Sequence, residues 1–345
     1  MLLTILYFVI ILGVIVCVHE FGHFFFAKLF GIYVYEFSIG MGPKIFSWKR
    51  KNDETAYSLR AIPIGGYCSL AGEGSEEDKK IPKKRLLQSK PIWQRFLVMF
   101  FGAGNNFILA LLVLFFLGLF AGAPDLSTRV NNVLAESPAA IAGLMKDDEI
   151  ISINGQKAKT IDDVQLYLAI AKEESEFVVL RDGKEITMKI TPLSEEEQQK
   201  KGYSYGMQFS QDREYGFFSS IKYSFQKFGS LVRQMVLTIK GLFGGGISVK
   251  ELSGPVGIYT AVDQTKTSGA SSLFYLLALL SLNVGFVNLI PFPAFDGGRI
   301  LFLLIEKIKG KPVKAETENL IHTIGFFILI ALIIHVTVND IIRLV

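Results

Sequence analysis

Apolar residues gather into four long runs, and the polar tracts between them divide the chain into its parts. Residues 1–26 are apolar apart from a short polar group at His19 to His23. About 20 such residues cross a hydrocarbon core of roughly 30 Å, so the run predicts a membrane-spanning helix. Runs at 95–120, 272–290 and 320–338 predict three more. Between the first two, 33–70 alternates in a strand-like way, punctuated by Gly40, Gly42, Pro43 and later by Pro63, Ile64, Gly65, Gly66 and Tyr67. That pattern reads as one or two β-hairpins within a 27–94 segment that ends in a charge-rich loop.

Between the second and third runs the character turns soluble. Residues 125–195 hold short β-like stretches (Val178 to Leu180, Ile186 to Ile190), turn pairs at Asn154, Gly155 and at Asp182, Gly183, and a helix-like stretch from Asp162 to Ala171. They predict a small α+β domain. Across 214–246, Phe218, Ile221, Phe225, Phe228, Val232, Met235 and Ile239 recur at helical spacing among Lys222, Lys227, Arg233 and Lys240. This is an amphipathic helix, lying on the lipid surface or packed on its neighbours, and closed by Gly244, Gly245 and Gly246. Ser253 to Gly257 reads as a further turn, and 299–319 as a polar loop before the last span.

Composition agrees: of 345 residues 50% are hydrophobic and 29 are Phe, with a mean hydropathy of +0.38, so the chain is a membrane protein with room for one modest soluble domain. Cys17 and Cys68 are too few for a disulfide framework and read as packing residues. The net charge of +4 matters less than where the charges fall: residues 28–95 hold thirteen Lys and Arg against seven Asp and Glu, and Arg299, Lys307, Lys309, Lys311 and Lys314 make a second basic segment. Such loops are retained in the cytoplasm, which places both termini and the α+β domain outside. The basic tracts flank membrane spans, and no nucleic-acid partner is expected.

The polar group in the first span spells H-E-F-G-H. On a helix His19 and His23 fall on one face a turn apart, so both imidazoles can bind one Zn²⁺ while Glu20 reaches a water on that metal. Ionisable groups in a spanning helix cost roughly 2.5 to 3.5 kcal/mol each on insertion scales and mark function. His19 lies about 27 Å along a helix that starts outside, near the inner face. The third span also runs inward and ends in Asn288, Leu289, Ile290, Pro291, Phe292, Pro293, Ala294, Phe295, Asp296, Gly297, Gly298, so Asp296 reaches a similar depth. Two imidazoles and one carboxylate leave a fourth zinc position for water, the open set of a catalytic site, whereas a structural zinc takes four protein ligands. His322 and His335, in the fourth span, read as packing or interfacial residues. A peptide-binding scaffold with a structural metal and a metal transporter are the rival readings.

With these two motifs in this order, and with Ser137, Pro138, Ala139, Ala140 through Asp148 to Gly155 resembling a PDZ domain, the chain resembles the site-two protease family of intramembrane zinc metalloproteases, most closely its bacterial regulator of sigma-E group. The resemblance implies a polytopic α-helical membrane protein of four transmembrane helices with a membrane-associated β-hairpin region and one extracytoplasmic PDZ-like domain, in the bacterial inner membrane with its active site towards the cytoplasm. It implies zinc on His19, His23 and Asp296, and Glu20 as catalytic acid and base. Asn283 and Asn288 match asparagines that position substrate, and Gly65, Gly66 and Tyr67 match a re-entrant β-loop that pairs with it. The substrates implied are single-pass membrane proteins such as trimmed anti-sigma factors or remnant signal peptides, with the PDZ-like domain binding peptide ends or excluding bulky ectodomains. The chain departs from the family in having Phe295 where Leu is usual, Ala103 where the second span usually carries Pro, and one PDZ-like copy where close relatives carry two.

Overall fold

A computed structural model of the chain describes residues 1–73, 76–171, 173–244 and 253–344. In chain order its elements are α1 (Leu2–Leu29), β1 (Val34–Lys49), β2 (Ala56–Leu70), α2 (Ile92–Ala121), β3 (Ala123–Pro124), β4 (Val130–Val133), α3 (Pro138–Ile141), β5 (Glu149–Ile153), β6 (Gln156–Lys157), α4 (Ile161–Ile170), β7 (Ser175–Arg181), β8 (Lys184–Ile190), α5 (Glu195–Lys201), β9 (Met207–Phe209), β10 (Arg213–Glu214), α6 (Phe217–Phe243), α7 (Pro255–Thr265), α8 (Ala270–Leu289), α9 (Asp296–Lys309) and α10 (Ala315–Leu344). Two compact units result, one made of Met1–Val113 with Gly245–Val345 and the other of Leu114–Gly244.

Among the described residues, four helices are long and apolar enough to cross a membrane: Leu2–Leu29, Ile92–Ala121, Ala270–Leu289 and Glu316–Arg343. Ile10, Phe25, Leu112, Phe327 and Ile334 are among the large apolar side chains they leave exposed, as helices facing hydrocarbon do. In the first unit α1, α2 and α8 approach through small residues. A Cβ on Gly22 of α1 would stand 1.9 Å from the Phe101 carbonyl oxygen of α2, and one on Gly285 of α8 would stand 3.0 Å from that of Ala103. Only glycine allows backbones this close. α2 runs without interruption through Ala103, which is wholly buried.

The hairpin is more than a two-stranded ribbon. Phe37 pairs with Cys68 and Ile39 with Gly66, but Glu36 to Ile39 also pair with Ala56 to Leu59, and Phe46 to Lys49 pair with Leu59 to Ala56. β1 and β2 are each folded in two, giving four segments in the order 66–70, 34–39, 56–59, 46–49. The middle pair advances in the same direction and is parallel. Gly40 (φ +83°) and Gly42 (φ +82°) let β1 turn back on itself, and Gly65 (φ +91°) does so in β2, a conformation side chains resist. Segment 66–70 is therefore an edge.

Two stretches expected as turn and loop are helical. Ser253 to Gly257 opens α7, because Pro255 presets the first-turn φ and the Asp340 carboxylate accepts the Gly254 and Gly257 amides at 2.9 and 2.8 Å. The loop expected at 299–319 is α9 as far as Lys309: Asp296, Gly297 and Gly298 begin a helix whose Leu303 is buried and whose Leu304 and Ile308 are exposed.

The second unit is a mixed α+β domain around Val130, Ile150, Ile153, Val164, Phe177 and Ile190. Its antiparallel sheet has the order β6-β5-β7-β8. Burial alternates along β7 at Ser175, Phe177 and Val179. Asn154 (φ +49°) with Gly155 (φ +73°) and Asp182 (φ +51°) with Gly183 (φ +77°) make the positive-φ pairs that tight hairpins need. One face of the amphipathic helix α6 packs on a neighbour: Lys227 and Ser230 bond Asp162, and Arg233 bonds Asp163, at the first turn of α4. Gly245 and Gly246, expected to end it, lie outside the described residues.

Candidate metal centre

His19 and His23 lie on one face of α1, both buried, four residues apart. Asp296 is the first residue of α9, brought in by the short 290–295 connection after α8. A Cβ on Gly297 would stand 2.3 Å from the Ile290 carbonyl oxygen and one on Gly298 2.5 Å from that of Phe292, so the two glycines allow the chain to fold back tightly enough to present the carboxylate. The loop is held from α10 as well: His322 Nδ1 accepts the amide of Ala294, a residue with φ +87°. His322, expected as a packing or interfacial residue, thereby steadies the segment that carries Asp296.

His19 Nε2 lies 3.2 Å from His23 Nε2, and Asp296 Oδ2 lies 3.2 Å from the first and 3.4 Å from the second. Ligands about 2.0 to 2.1 Å from a tetrahedral cation stand about 3.3 Å from one another, so the three atoms are spaced as one such ion requires. Asp296 Oδ2 has no hydrogen-bond partner although it is buried, and a buried lone pair left so is costly unless a cation fills the space. His23 Nδ1 donates to the Val98 carbonyl at 2.8 Å, which fixes the tautomer and leaves Nε2 bare for a metal. A Cβ on Gly102 would meet the His23 ring at 2.4 Å, so glycine there makes room for the imidazole against α2. Among the described residues these three are the group able to hold a metal ion.

They open on a cavity of about 310 Å³ lined also by Glu20, Tyr67, Cys68, Glu73, Asn288 and Arg299. Of the residues expected to position substrate, Tyr67 and Asn288 reach this wall, and a Cβ on Gly66 would stand 3.6 Å from Glu20 Cγ. Gly65 sits instead at the bend, against Met41, and Asn283 is not on the wall. Asn288 donates to the Val284 carbonyl of its own helix at 3.0 Å. Cys68, expected as packing, lines the cavity, where burial pushes its thiol well up; it is not among the three residues grouped at ligand spacing.

Sequence reading missed Arg299 and Glu73, which bond each other across the cavity rim. Arg299 follows Asp296 by three residues, so a helix placed at 296–309 would have revealed it. Further along the sheet, burial pushes the Glu36 carboxyl up, but hydrogen bonds from Ser58, Tyr67, Arg60 and Lys44 outweigh it and hold the value down to about 2. Burial and that carboxylate push the Tyr67 phenol up to about 12, so it remains a donor, 2.7 Å from Glu36.

Comparison with known proteins matches residues 7–332 to Peptidase family M50. The regulator of sigma-W protease RasP of Bacillus subtilis is 33% identical over 419 aligned positions, covering 99% of each chain. An Enterococcus faecalis protein named as a probable protease, eep, is 32% identical over 425, again covering 99% of each. A Clostridium perfringens protein named as a candidate zinc metalloprotease is 37% identical over 330, covering 95% of each. The first two alignments exceed the chain's own length, so those relatives carry segments opposite gaps in this one.

Proposed function

Because the chain belongs to peptidase family M50 and is a membrane metalloendopeptidase, we propose that it hydrolyses a peptide bond within the transmembrane segment of single-pass membrane proteins. The observation that carries this reading is the meeting of His19, His23 and Asp296 at ligand spacing in a chain whose described residues include four helices able to span a membrane. His19, His23 and Asp296 hold Zn²⁺, which when bound supplies Lewis-acid polarisation and an acidified water. Glu20 takes the proton of the attacking water and returns it to the leaving amine. A helical substrate hides its carbonyls in its own hydrogen bonds and has to unwind to be cut. The 66–70 edge offers replacement main-chain partners beside Glu20, with Gly65 supplying the bend, Gly66 the close approach and Tyr67 the cavity wall. Asn288 releases its own helix to bond substrate backbone, with Asn283 a further amide on the same helix.

The substrate class is one of single-pass proteins in a bacterial inner membrane, trimmed anti-sigma factors or remnant signal peptides among them; that RasP is named a regulator of sigma-W agrees with the first. The excess of Lys and Arg over 28–95 and 299–314 supports a centre towards the cytoplasm and an extracytoplasmic α+β domain. That domain is PDZ-like, consistent with its short sheets, the Ser137-capped α3 and the capped α4, and it screens substrates by peptide ends or by bulk. The test is Glu20→Gln with a tethered membrane reporter. Cleavage falls by about 10²- to 10⁴-fold while bound zinc is retained; equal cleavage by both proteins defeats the reading.

A further inference from the structure

Both imidazoles lie against α2. Val98, Gly102 and Asn106 are spaced by four residues and form one stripe of that helix. Val98 supplies a carbonyl to His23, and Gly102 makes room for its ring. The third member faces His19: Asn106 Nδ2 lies 3.4 Å from His19 Nδ1, the ring nitrogen turned away from Asp296. Asn106 is wholly buried, and its Oδ1 has no hydrogen-bond partner. The Ser281 hydroxyl of α8 donates to the Asn106 carbonyl at 2.9 Å and holds α2 at this turn.

The two ends of a carboxamide have nearly the same shape, so their assignment follows from the hydrogen-bond network. With the nitrogen facing His19, Nδ1 has to accept and the ring proton sits on Nε2, pointing at Asp296 and His23. A protonated Nε2 cannot ligate a cation. With the ends exchanged, Oδ1 accepts the Nδ1–H and Nε2 keeps its lone pair. Either orientation leaves one end of the amide unmatched, but only the second is compatible with a bound metal.

We propose that Asn106 is the positioning residue of His19: its side-chain oxygen accepts the Nδ1–H, selects the metal-binding tautomer and holds the ring towards His23 and Asp296. This rests on the metal-centre reading above. The arrangement is symmetric in effect, since one helix then sets both tautomers, through a backbone carbonyl for one imidazole and a side chain for the other.

The test compares Asn106→Leu, which has no acceptor, with Asn106→Asp, which accepts but cannot donate, in full-length purified protein. Zn²⁺ affinity is read by chelator competition, and Co²⁺ substitution reads the ligand geometry from its visible absorption. The Leu variant is expected to bind Zn²⁺ about 10- to 100-fold more weakly with a changed Co²⁺ spectrum, and the Asp variant to recover within about threefold. If Asn106→Leu does not fold, Asn106→Ala serves in its place. Parental affinity in the variant lacking an acceptor overturns the proposal, and so does equal loss with Asp. His19→Ala separates the two readings. If it loses zinc while Asn106→Leu does not, only the Asn106 assignment falls; if it binds zinc like the parent, the centre itself is misplaced and both fall.

Discussion

Asp163 in the α+β domain and Asp296 in the helical unit are both carboxylates drawn away from water, and their surroundings differ. Asp163 is wholly buried and accepts from the Lys159 and Thr160 amides at 2.9 and 3.0 Å and from Arg233 through two nitrogens at 3.0 and 2.8 Å. Asp148 is treated likewise, with Arg181 gripping both oxygens at 2.7 and 2.6 Å. Asp296 Oδ2 stands 3.2 and 3.4 Å from two imidazole nitrogens, and it has no hydrogen-bond partner. A buried charge that is fully matched holds a fold together; one left unmatched beside other ligand atoms is prepared for something that arrives later.

Removing each carboxylate should separate these roles. Asp296→Ala is expected to abolish tight zinc binding and reduce reporter cleavage below detection, while the protein still folds; zinc uptake at the parental level would break the contrast. Asp163→Ala leaves Arg233 without its partner and the first turn of α4 without its cap, and is expected to cost about 3 kcal/mol, the lower end for a broken buried pair because Arg233 reaches water. Hydrogen exchange on α4 and β7 peptides of the full chain would detect it, and zinc affinity should not change. The two substitutions thus predict opposite pairs of readouts.

Acidification should distinguish the regions a second way. Burial raises the Asp148 and Asp163 carboxyls, but hydrogen bonds from Arg181 and the Met145 amide, and from Arg233 and the Lys159 amide, outweigh it and hold both below the ordinary aspartate value. The unfolded chain therefore binds the proton first, so these groups contribute stability that is complete above about pH 4 and is lost as pH falls through the lower folded values. Metal ligands have to shed protons to bind, so on acidification zinc should leave before α4 and β7 lose protection. Protection lost first, with zinc still held, would reverse that order. Trp48 and Trp93 both lie in the helical unit, so exchange rather than tryptophan fluorescence has to follow the α+β domain.

The smallest expected effect is at the sheet beside the cavity. Tyr67→Phe removes the donor 2.7 Å from Glu36 and should cost about 1 kcal/mol, read as a small fall in melting temperature. If Tyr67 acts on substrate as well, KM for the reporter rises several-fold; an unchanged KM confines the residue to the sheet.

Much of this was legible in the residues themselves. H-E-F-G-H needs only helical geometry to put His19 and His23 on one face, and four apolar runs need only length to predict four spans. The turn pairs Asn154, Gly155 and Asp182, Gly183 sit at the hairpins where their types require them. What escaped depended on contacts between distant segments. α7 is capped by Asp340, eighty-three residues beyond Gly257, and Arg299 meets Glu73 across 226 residues. Helical spacing left open what Lys227 and Arg233 meet; only the fold brings Asp162 and Asp163 against them.

Local rules therefore specified which atoms this chain offers to a metal, because ligand type and helical period are properties of a few neighbouring residues. Only the tertiary structure supplied the interatomic spacing of 3.2 to 3.4 Å, the folding of one hairpin into four segments and the stripe of α2 behind the imidazoles. Those depend on how closely helices can pass, and Gly22, Gly102 and Gly285 act there through the side chains they lack. A missing Cβ shows its consequence only once another segment occupies the space.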